Sequence, residues 1–178
     1  MMQFDFQQDF FSLFTLPARF QIDSTALEQS YRALQAQVHP DKFAHLTEAE
    51  RRLSMQWATS VNEGYQTLRN PLNRARYLLS LHSVDTQEDS NTSMPTEFLM
   101  QQMEWREALE EALQAKDADE LERLEQRVQH EARVLQQQLA IGIDETHDFA
   151  AASGIVRKLK FLEKLAEEIG SAFDELDS

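Results

Sequence analysis

The sequence QAQVHPDKFAHL, residues 35–46, decides how the first half of this chain folds. Apolar residues recur at helical spacing before it, and a proline ends that helix because it lacks an N–H donor and clashes with the preceding turn. The helix therefore stops at His39-Pro40, and a polar corner follows with an imidazole and a carboxylate on either side of the proline. Pro and Asp both favour turns, so the corner is either a plain turn or a surface that another molecule recognises.

Helical segments lie on both sides of this corner. A short apolar segment, residues 10–16, precedes Pro17 and is expected to dock on the core. The expected N-caps are Asp23 for the helix that ends at the corner, Thr47 for the next helix and Asn70 for a fourth. The apolar positions expected along these three helices are Leu27, Tyr31, Leu34 and Val38; Leu53, Trp57, Val61 and Leu68; and Ala75, Leu78, Leu79 and Leu81. Gly64 costs about 1 kcal/mol relative to alanine inside a helix, and the sequence offers no reason for it.

Composition and charge exclude several classes of protein. The 178 residues include only four glycines and four prolines, which is typical of a mostly helical chain. No cysteine is present, so the chain has neither a disulfide nor a thiolate ligand for a metal. Residues 1–85 hold 8 Lys and Arg against 9 Asp and Glu, whereas residues 86–178 hold 9 against 22. The acidic half would repel nucleic acid and anionic membranes, which favours a basic protein partner.

Local composition also predicts the organisation and location of the chain. Residues 83–96, SVDTQEDSNTSMPT, lack apolar periodicity and read as a linker between domains at 1–82 and 97–178. The first fifteen residues match neither a secretory signal nor a transit peptide, and no window is apolar enough to span a membrane. The sequence therefore predicts a soluble cytoplasmic protein that binds neither membrane nor nucleic acid.

The second half contains three amphipathic segments with short connections, which predict an antiparallel bundle. In the first segment the core stripe is expected to be Phe98, Trp105, Leu109 and Ala112, and the opposite side carries Met100, Met103, Glu104, Glu107 and Glu111. The middle segment places on one face Leu121, Leu124, Val128, Ala132, Leu135 and Leu139. The last segment aligns Ile155, Leu159, Leu162, Ala166, Ile169 and Phe173. Phe161 lies about 120° from that stripe and is expected to be exposed.

Several stretches of this sequence resemble one family. HPDKF between two helices resembles the signature of J domains, which stimulate ATP hydrolysis by chaperones of the DnaK and HscA type. The stretches LFTLPARFQID, NEGYQTLRNPLNRARYLLSLHSVD, FLMQQMEWREALEEA and VRKLKFLEKL resemble the HscB family, the J-type co-chaperones of iron-sulfur cluster assembly. The resemblance covers nearly the whole chain, apart from about eight residues at the start and a variable middle.

The resemblance implies an all-α fold in which a J domain, with a helical hairpin around the His-Pro-Asp corner, precedes a three-helix bundle. It implies a co-chaperone that stimulates a DnaK/HscA-type ATPase and delivers an IscU-type iron-sulfur scaffold protein to it, without being an enzyme or holding a cofactor. The residues implied in chaperone contact are His39, Pro40 and Asp41, joined by Lys42 and by Arg32, the one basic residue of the second helix. Those implied in scaffold contact are Leu99, Met100, Met103, Glu104, Glu107, Glu111 and Phe161.

Two other functions fit part of the sequence. A general protein-folding co-chaperone would use the same corner to serve unfolded clients, but such proteins typically carry a Gly/Phe-rich linker or a cysteine-rich zinc module. An independent hydrolase built on His39 and Asp41 lacks a recognisable nucleophile and oxyanion arrangement. The other histidines have no paired ligand spacing, so no metal site is predicted.

Overall fold

The computed structural model describes residues 4–91 and 93–178, except the side chain of Pro40. Over these ranges all regular secondary structure is helical, which confirms the all-α prediction. The chain divides into two compact units, Met1–Leu81 and His82–Ser178. No helix within the described ranges combines the length and apolar character needed to cross a bilayer.

The first unit is built around a long central helix. Within the part that the structure describes, its helices are α1 (Phe10–Leu13), α2 (Ser24–Val38), α3 (Glu48–Arg69) and α4 (Pro71–Leu81), and a 3₁₀ turn, Pro40–Phe43, joins α2 to α3. Helix α3 packs against α1, α2 and α4. The two helices on either side of the 3₁₀ turn therefore form the predicted hairpin.

Side-chain caps place the helix starts where the sequence predicts them. The Asp23 carboxylate accepts hydrogen bonds from the N–H groups of Thr25 and Ala26, at 3.0 and 3.1 Å. At the start of α3, the Glu50 N–H donates to Thr47 Oγ1 at 3.3 Å while the Glu50 carboxylate accepts from the Thr47 N–H at 2.9 Å. This reciprocal capping box satisfies two N–H groups that a helix start otherwise leaves unpaired.

Most, but not all, of the predicted apolar positions of the first unit are buried. The buried core includes Phe11, Phe14, Leu27, Val61, Leu68, Leu78 and Leu79. Leu53 and Leu81 were expected in the core and are exposed. Both lie within two turns of a helix end, where periodicity alone does not show whether a neighbour covers that face.

Helix α1 is anchored to α4, the last helix of the first unit. The Phe10 N–H donates to the Tyr77 hydroxyl at 2.9 Å, and the two rings stack with centroids 4.8 Å apart. Burial raises the pKa of Tyr77 above its ordinary value, against the opposing effect of the Phe10 hydrogen bond. The apolar segment predicted to dock on the core does so through this contact and through buried Phe11 and Phe14.

The packing of α1 explains the glycine in the middle of α3. A Cβ atom at Gly64 would lie 2.9 Å from Phe10 Cδ1 and 2.9 Å from Phe14 Cε2. Real Cβ atoms essentially never come this close to ring carbons, and the Phe14 ring is buried. The glycine therefore permits the close approach of α1 to α3.

The second unit is a three-helix bundle, as predicted. The helices are α5 (Thr96–Ala115), α6 (Ala118–Ala140) and α7 (Phe149–Asp177), and a π-helical turn, Ile141–Glu145, follows α6 directly. Helix α6 packs on both α5 and α7, and α5 also packs on α7. The connections are short, so consecutive helices run antiparallel.

The segment predicted as a linker packs along α7 in the second unit. Arg157 Nη1 donates to the carbonyl oxygen of Thr86 at 3.0 Å, and Lys160 Nζ lies 2.9 Å from a carboxylate oxygen of Asp89. The two contacts come from one face of α7 and hold residues 86–89 against it. The domain limits given by the sequence, 1–82 and 97–178 around a linker, remain a prediction.

The prediction for the buried side of α7 is partly wrong. Leu159, Leu162 and Ile169 are buried as expected, but Ala166 is exposed and Leu165 is fully buried. Further buried positions that the straight stripe did not include are Ala152, Val156 and Ala172. A straight stripe assumes one neighbour along the whole helix, whereas α5, α6 and the π-helical turn all pack on α7.

Replacing Gly64 by alanine should destabilise the first unit. Alanine improves helix propensity by about 1 kcal/mol, but overpacking a core costs about 1–3 kcal/mol, and here two phenylalanine rings must shift. We expect a net lowering of the urea midpoint in a Trp105→Phe background, where fluorescence reports on Trp57 in the same unit. The matched control is Gly170→Ala, because an added Cβ there meets nothing within 4 Å. The stability of Gly170→Ala, followed by far-UV circular dichroism, should be unchanged or higher. Stabilisation by both Gly64→Ala and Gly170→Ala would contradict the packing explanation.

Candidate functional site

The first candidate site is the turn between α2 and α3. The backbone of His39 is extended, with ψ 132°, as expected for a residue that precedes proline. The Lys42 N–H then donates to the His39 carbonyl at 3.0 Å and closes the 3₁₀ turn. The proline therefore ends α2 and begins a turn that carries Asp41 and Lys42.

The turn presents the Asp41 carboxylate to solvent. His39 Nδ1 accepts a hydrogen bond from the Asp41 N–H at 3.3 Å and lies 3.4 Å from Asp41 Oδ2. One ring nitrogen cannot accept the first contact and donate to the second at the same time, so with neutral His39 the carboxylate is left to external donors. The Asp41 side chain is 91% exposed. Such a carboxylate can accept charge-assisted hydrogen bonds from an arginine or lysine of another protein.

A groove of about 800 Å³ lies beside this turn, between α2 and α3. It is lined by four of the residues implied in chaperone contact, together with residues from both helices: Arg32, Gln35, Ala36, Val38, His39, Asp41, Lys42, Ala58 and Asn62. The side chain of Pro40 lies outside the described residues. The basic side chains of Arg32 and Lys42 therefore share one groove with the carboxylate of Asp41.

Arg32 already has a partner on its own helix. Its Nη2 lies 2.5 Å from Glu28 Oε1, and both side chains are well exposed. Exposed pairs at this spacing contribute about 0.3–0.5 kcal/mol, so an external carboxylate can displace Glu28 at little cost. The pair lowers the net positive charge that α2 offers to a partner.

Sequence reasoning missed the α3 side of the groove. Ala58 and Asn62 lie one turn apart and face α2, and Asn62 is held by a 2.8 Å hydrogen bond from the Tyr31 hydroxyl. Their i, i+4 spacing is the signal that could have indicated a shared face.

The second candidate site is the outer face of α5. Leu99, Met100 and Met103 are exposed, the two methionines by 57% and 62%. Glu104, Glu107 and Glu111 are exposed beside them. At 100° per residue these six positions span an arc of about 140°, so they form one continuous surface, which we call the α5 face.

The α5 face is acidic as well as apolar. Glu110 lies on the same arc and is exposed, so it belongs to the surface although the sequence analysis did not include it. None of these four glutamates forms an ion pair with a described Lys or Arg. Arg106, which is partly exposed at the edge of this face, is by contrast paired with Glu168. A partner with basic groups around an apolar centre would complement the α5 face.

Phe161 was expected to be exposed, and the structure corrects this. Its side chain is partly buried, and its ring meets Phe98 edge to face with centroids 6.4 Å apart. Phe98 faces the core of the bundle, on the other side of α5 from Met100. The buried side of α7 is centred closer to Leu165 than the sequence predicted. Phe161 therefore lies at the edge of that buried side. Phe161 also lines a groove of about 420 Å³ with Glu88, Lys160, Glu163, Lys164 and Glu167.

The described residues offer little for metal chemistry. Within residues 4–91 and 93–178, no three His, Asp or Glu side chains converge closely enough to hold a metal ion. What both sites do present is exposed side chains on rigid helices, an arrangement suited to recognition of another protein.

Comparison with known proteins defines the class of this fold. Structures that share it include the chaperone HscB from Vibrio cholerae, with a TM-score of 0.82 and 38% identity over 95% of this chain and 99% of that one. They also include the human co-chaperone protein HscB, with a TM-score of 0.88 and 31% identity over 94% of this chain and 83% of that one. The fold is thus that of a co-chaperone in which an N-terminal J domain precedes a helical bundle.

The sequence comparisons narrow this class to one family. A family model described as the HSCB C-terminal oligomerisation domain matches residues 94–170. The co-chaperone protein HscB homolog of Aromatoleum aromaticum is 56% identical over 99% of this chain and 100% of its own length. The chain belongs to the HscB co-chaperone family, as the resemblance in its sequence implied.

The capping box beside the turn should be visible in the titration of Glu50. Hydrogen bonds from the Thr47 N–H and then from its hydroxyl, the latter at 2.9 Å, hold the pKa of Glu50 below its ordinary value. Because the folded-state pKa is the lower one, this carboxylate stabilises the fold above its unfolded pKa, and the effect is lost as pH falls through the folded pKa. We expect Thr47→Ala to raise the pKa of Glu50 part of the way, as measured by carboxyl-carbon NMR.

The matched control for this titration is Thr47→Ser, which keeps a hydroxyl at the same position. Its Glu50 should titrate as in the unmodified chain. An unchanged pKa in Thr47→Ala would show that the hydroxyl does not help to lower the pKa of Glu50.

Proposed function

We propose that this chain stimulates the ATPase of a DnaK/HscA-type chaperone and delivers to it an IscU-type scaffold protein, in support of iron-sulfur protein maturation. The chaperone binds the turn and groove of the first unit, through His39, Pro40, Asp41, Lys42 and Arg32. The scaffold binds the α5 face of the second unit, with Phe161 as a further contact. The chain itself carries out no chemical step.

The proposal is carried by one observation: each compact unit presents its own exposed surface, and the two surfaces differ in chemistry. The groove beside the turn combines the exposed carboxylate of Asp41 with basic neighbours, as suits a polar partner that supplies arginine or lysine. The α5 face combines exposed methionines with glutamates that form no ion pair with a described Lys or Arg. Methionine adapts to irregular surfaces, so this face suits a folded partner with an apolar centre and a basic rim.

Joining the two surfaces in one chain supplies the functional coupling. A scaffold held on the second unit and a chaperone held on the first are at a high effective concentration toward each other, without any direct affinity between them. The chain therefore acts as an adaptor whose effect on ATP turnover depends on the turn and whose choice of client depends on the α5 face.

Removing the charge of Asp41 should weaken stimulation of the chaperone. Hydrogen bonds to a charged group contribute about 1.5–3 kcal/mol, so Asp41→Asn should raise the concentration for half-maximal ATPase stimulation roughly 10- to 100-fold. His39→Gln should act in the same direction, because it removes the ring nitrogen that accepts a hydrogen bond from the Asp41 N–H. The measurement is steady-state ATP hydrolysis by the chaperone at increasing co-chaperone concentration.

The matched control for Asp41→Asn is Glu63→Gln, which removes an exposed carboxylate of α3 outside the groove. It should stimulate like the unmodified chain, and both Asp41→Asn and His39→Gln should still bind the scaffold. Full stimulation by Asp41→Asn would rule out the turn as the chaperone contact. Turnover of ATP by the chain alone would instead support an enzyme.

Truncating the methionines of the α5 face should weaken scaffold binding. Central apolar contacts of an interface each contribute more than about 1 kcal/mol when they are hot spots, so Met100→Ala with Met103→Ala should lower scaffold affinity roughly tenfold or more. The measurement is calorimetric titration with the scaffold protein. ATPase stimulation in the absence of scaffold should be unchanged.

The control here is Met55→Ala, because Met55 is 66% exposed but lies in the first unit. It should bind the scaffold normally. If the double methionine variant binds the scaffold as tightly as the unmodified chain, the α5 face is not the scaffold site. Equal affinity for an unfolded polypeptide and for the scaffold would favour the general folding co-chaperone.

A further inference from the structure

A chain of aromatic rings connects the N-terminal segment to the turn. The centroid of the Phe4 ring lies 5.3 Å from that of Trp57 and 5.0 Å from that of Phe6. The centroids of Phe6 and Trp57 are 6.4 Å apart. Phe43, the last residue of the 3₁₀ turn, meets Trp57 edge to face at 6.3 Å. Trp57 of α3 therefore contacts both the beginning of the chain and the turn that carries Asp41.

Among the described residues, packing and not a hydrogen bond holds the Trp57 indole in place. Trp57 is only 7% exposed, yet no described atom accepts a hydrogen bond from its Nε1. An indole usually finds an acceptor when it is buried, and that bond would fix its orientation. Here the orientation depends on the surrounding rings, so loss of the N-terminal rings would leave Trp57 free to reorient.

The N-terminal segment has the geometry of a cover rather than of a core element. The Gln7 N–H donates to Asp5 Oδ1 at 2.8 Å, which closes a turn around Phe6. Phe6 remains 48% exposed and borders a shallow depression of about 380 Å³ beside Met55. A side chain this exposed adds little to global stability, so its contact with Trp57 is the more informative feature.

We propose that Phe4 and Phe6 are positioning residues for the turn, acting through Trp57 and Phe43. With both rings present, Trp57 forms a fixed surface for Phe43, and Phe43 limits the conformations of Asp41 and Lys42. Without them, the turn samples conformations in which the Asp41 carboxylate is displaced. The expected effect on a chaperone rests on the proposed function, whereas the expected effect on the turn does not.

The first test measures the turn directly and requires no partner. In a Trp105→Phe background, Phe4→Ala with Phe6→Ala should shift the Trp57 emission to longer wavelength. Aromatic contacts of this kind correspond to roughly a two- to tenfold change in an opening equilibrium, so the Lys42 and Leu46 amides should exchange faster by that factor. These amides report on the turn because they donate to the carbonyls of His39 and Phe43.

Two variants separate positioning from general destabilisation. Phe4→Tyr with Phe6→Tyr keeps both rings and should keep the slow exchange of the turn amides. Met55→Ala removes an apolar neighbour of Phe6 that is absent from the aromatic chain, and should leave the exchange unchanged. Amides of Val61 and Leu68, in the buried part of α3, should exchange at the same rate in every variant.

The second test uses the chaperone. The apparent affinity for the chaperone falls in proportion to the fraction of molecules whose turn is in the binding-competent conformation. Phe4→Ala with Phe6→Ala should therefore raise the half-maximal concentration for ATPase stimulation and leave maximal stimulation unchanged. Faster exchange at Lys42 and Leu46 with unaltered exchange in α3 supports the inference. Unchanged exchange at the turn overturns it, as does an equal acceleration throughout α3. Failure of the unmodified chain to stimulate the chaperone would overturn the proposed function and not the exchange result.

Discussion

The first unit depends on the backbone restriction that Pro40 imposes at the end of α2. The residue before a proline is held extended, and the proline itself cannot continue the hydrogen-bond ladder of the helix. The chain must therefore leave α2 at His39, and the hydrogen bond from the Lys42 N–H to the His39 carbonyl closes the 3₁₀ turn that follows. The same restriction that separates α2 from α3 places the carboxylate of Asp41 in solvent at the turn of the hairpin.

The second unit separates its roles by helix face. The inner sides of α5, α6 and α7 bury leucine, isoleucine and valine, and the outer face of α5 keeps methionine and glutamate in solvent. Burying the methionines would stabilise an isolated bundle, so neighbouring exposed methionines on one helix face are typical of a surface that contacts another protein. The acidic charge of this half is electrostatically complementary to basic groups and repels the phosphates of nucleic acid.

The residues around α3 show how one helix packs against both the N-terminal part of the chain and the turn. Gly64 lets α1 approach closely enough for its phenylalanines to pack against the backbone, and Trp57 contacts Phe43 of the turn further toward the N-terminus of the helix. These contacts join parts of the chain that are far apart in sequence. They account for a glycine that lowers helix propensity and for an indole with no described hydrogen-bond acceptor.

The sequence by itself determined the helical class, the caps at Asp23 and Thr47, the break at Pro40 and the exposed face of α5. These features follow from local rules: periodicity, capping and the chemistry of proline act over a few residues. Tertiary structure alone decided the reason for Gly64, the partly buried position of Phe161, the rotation of the buried side of α7 and the placement of Phe4 and Phe6 against Trp57. Each of these depends on which distant segment covers a given face, and a face has no fixed partner until the whole core has packed.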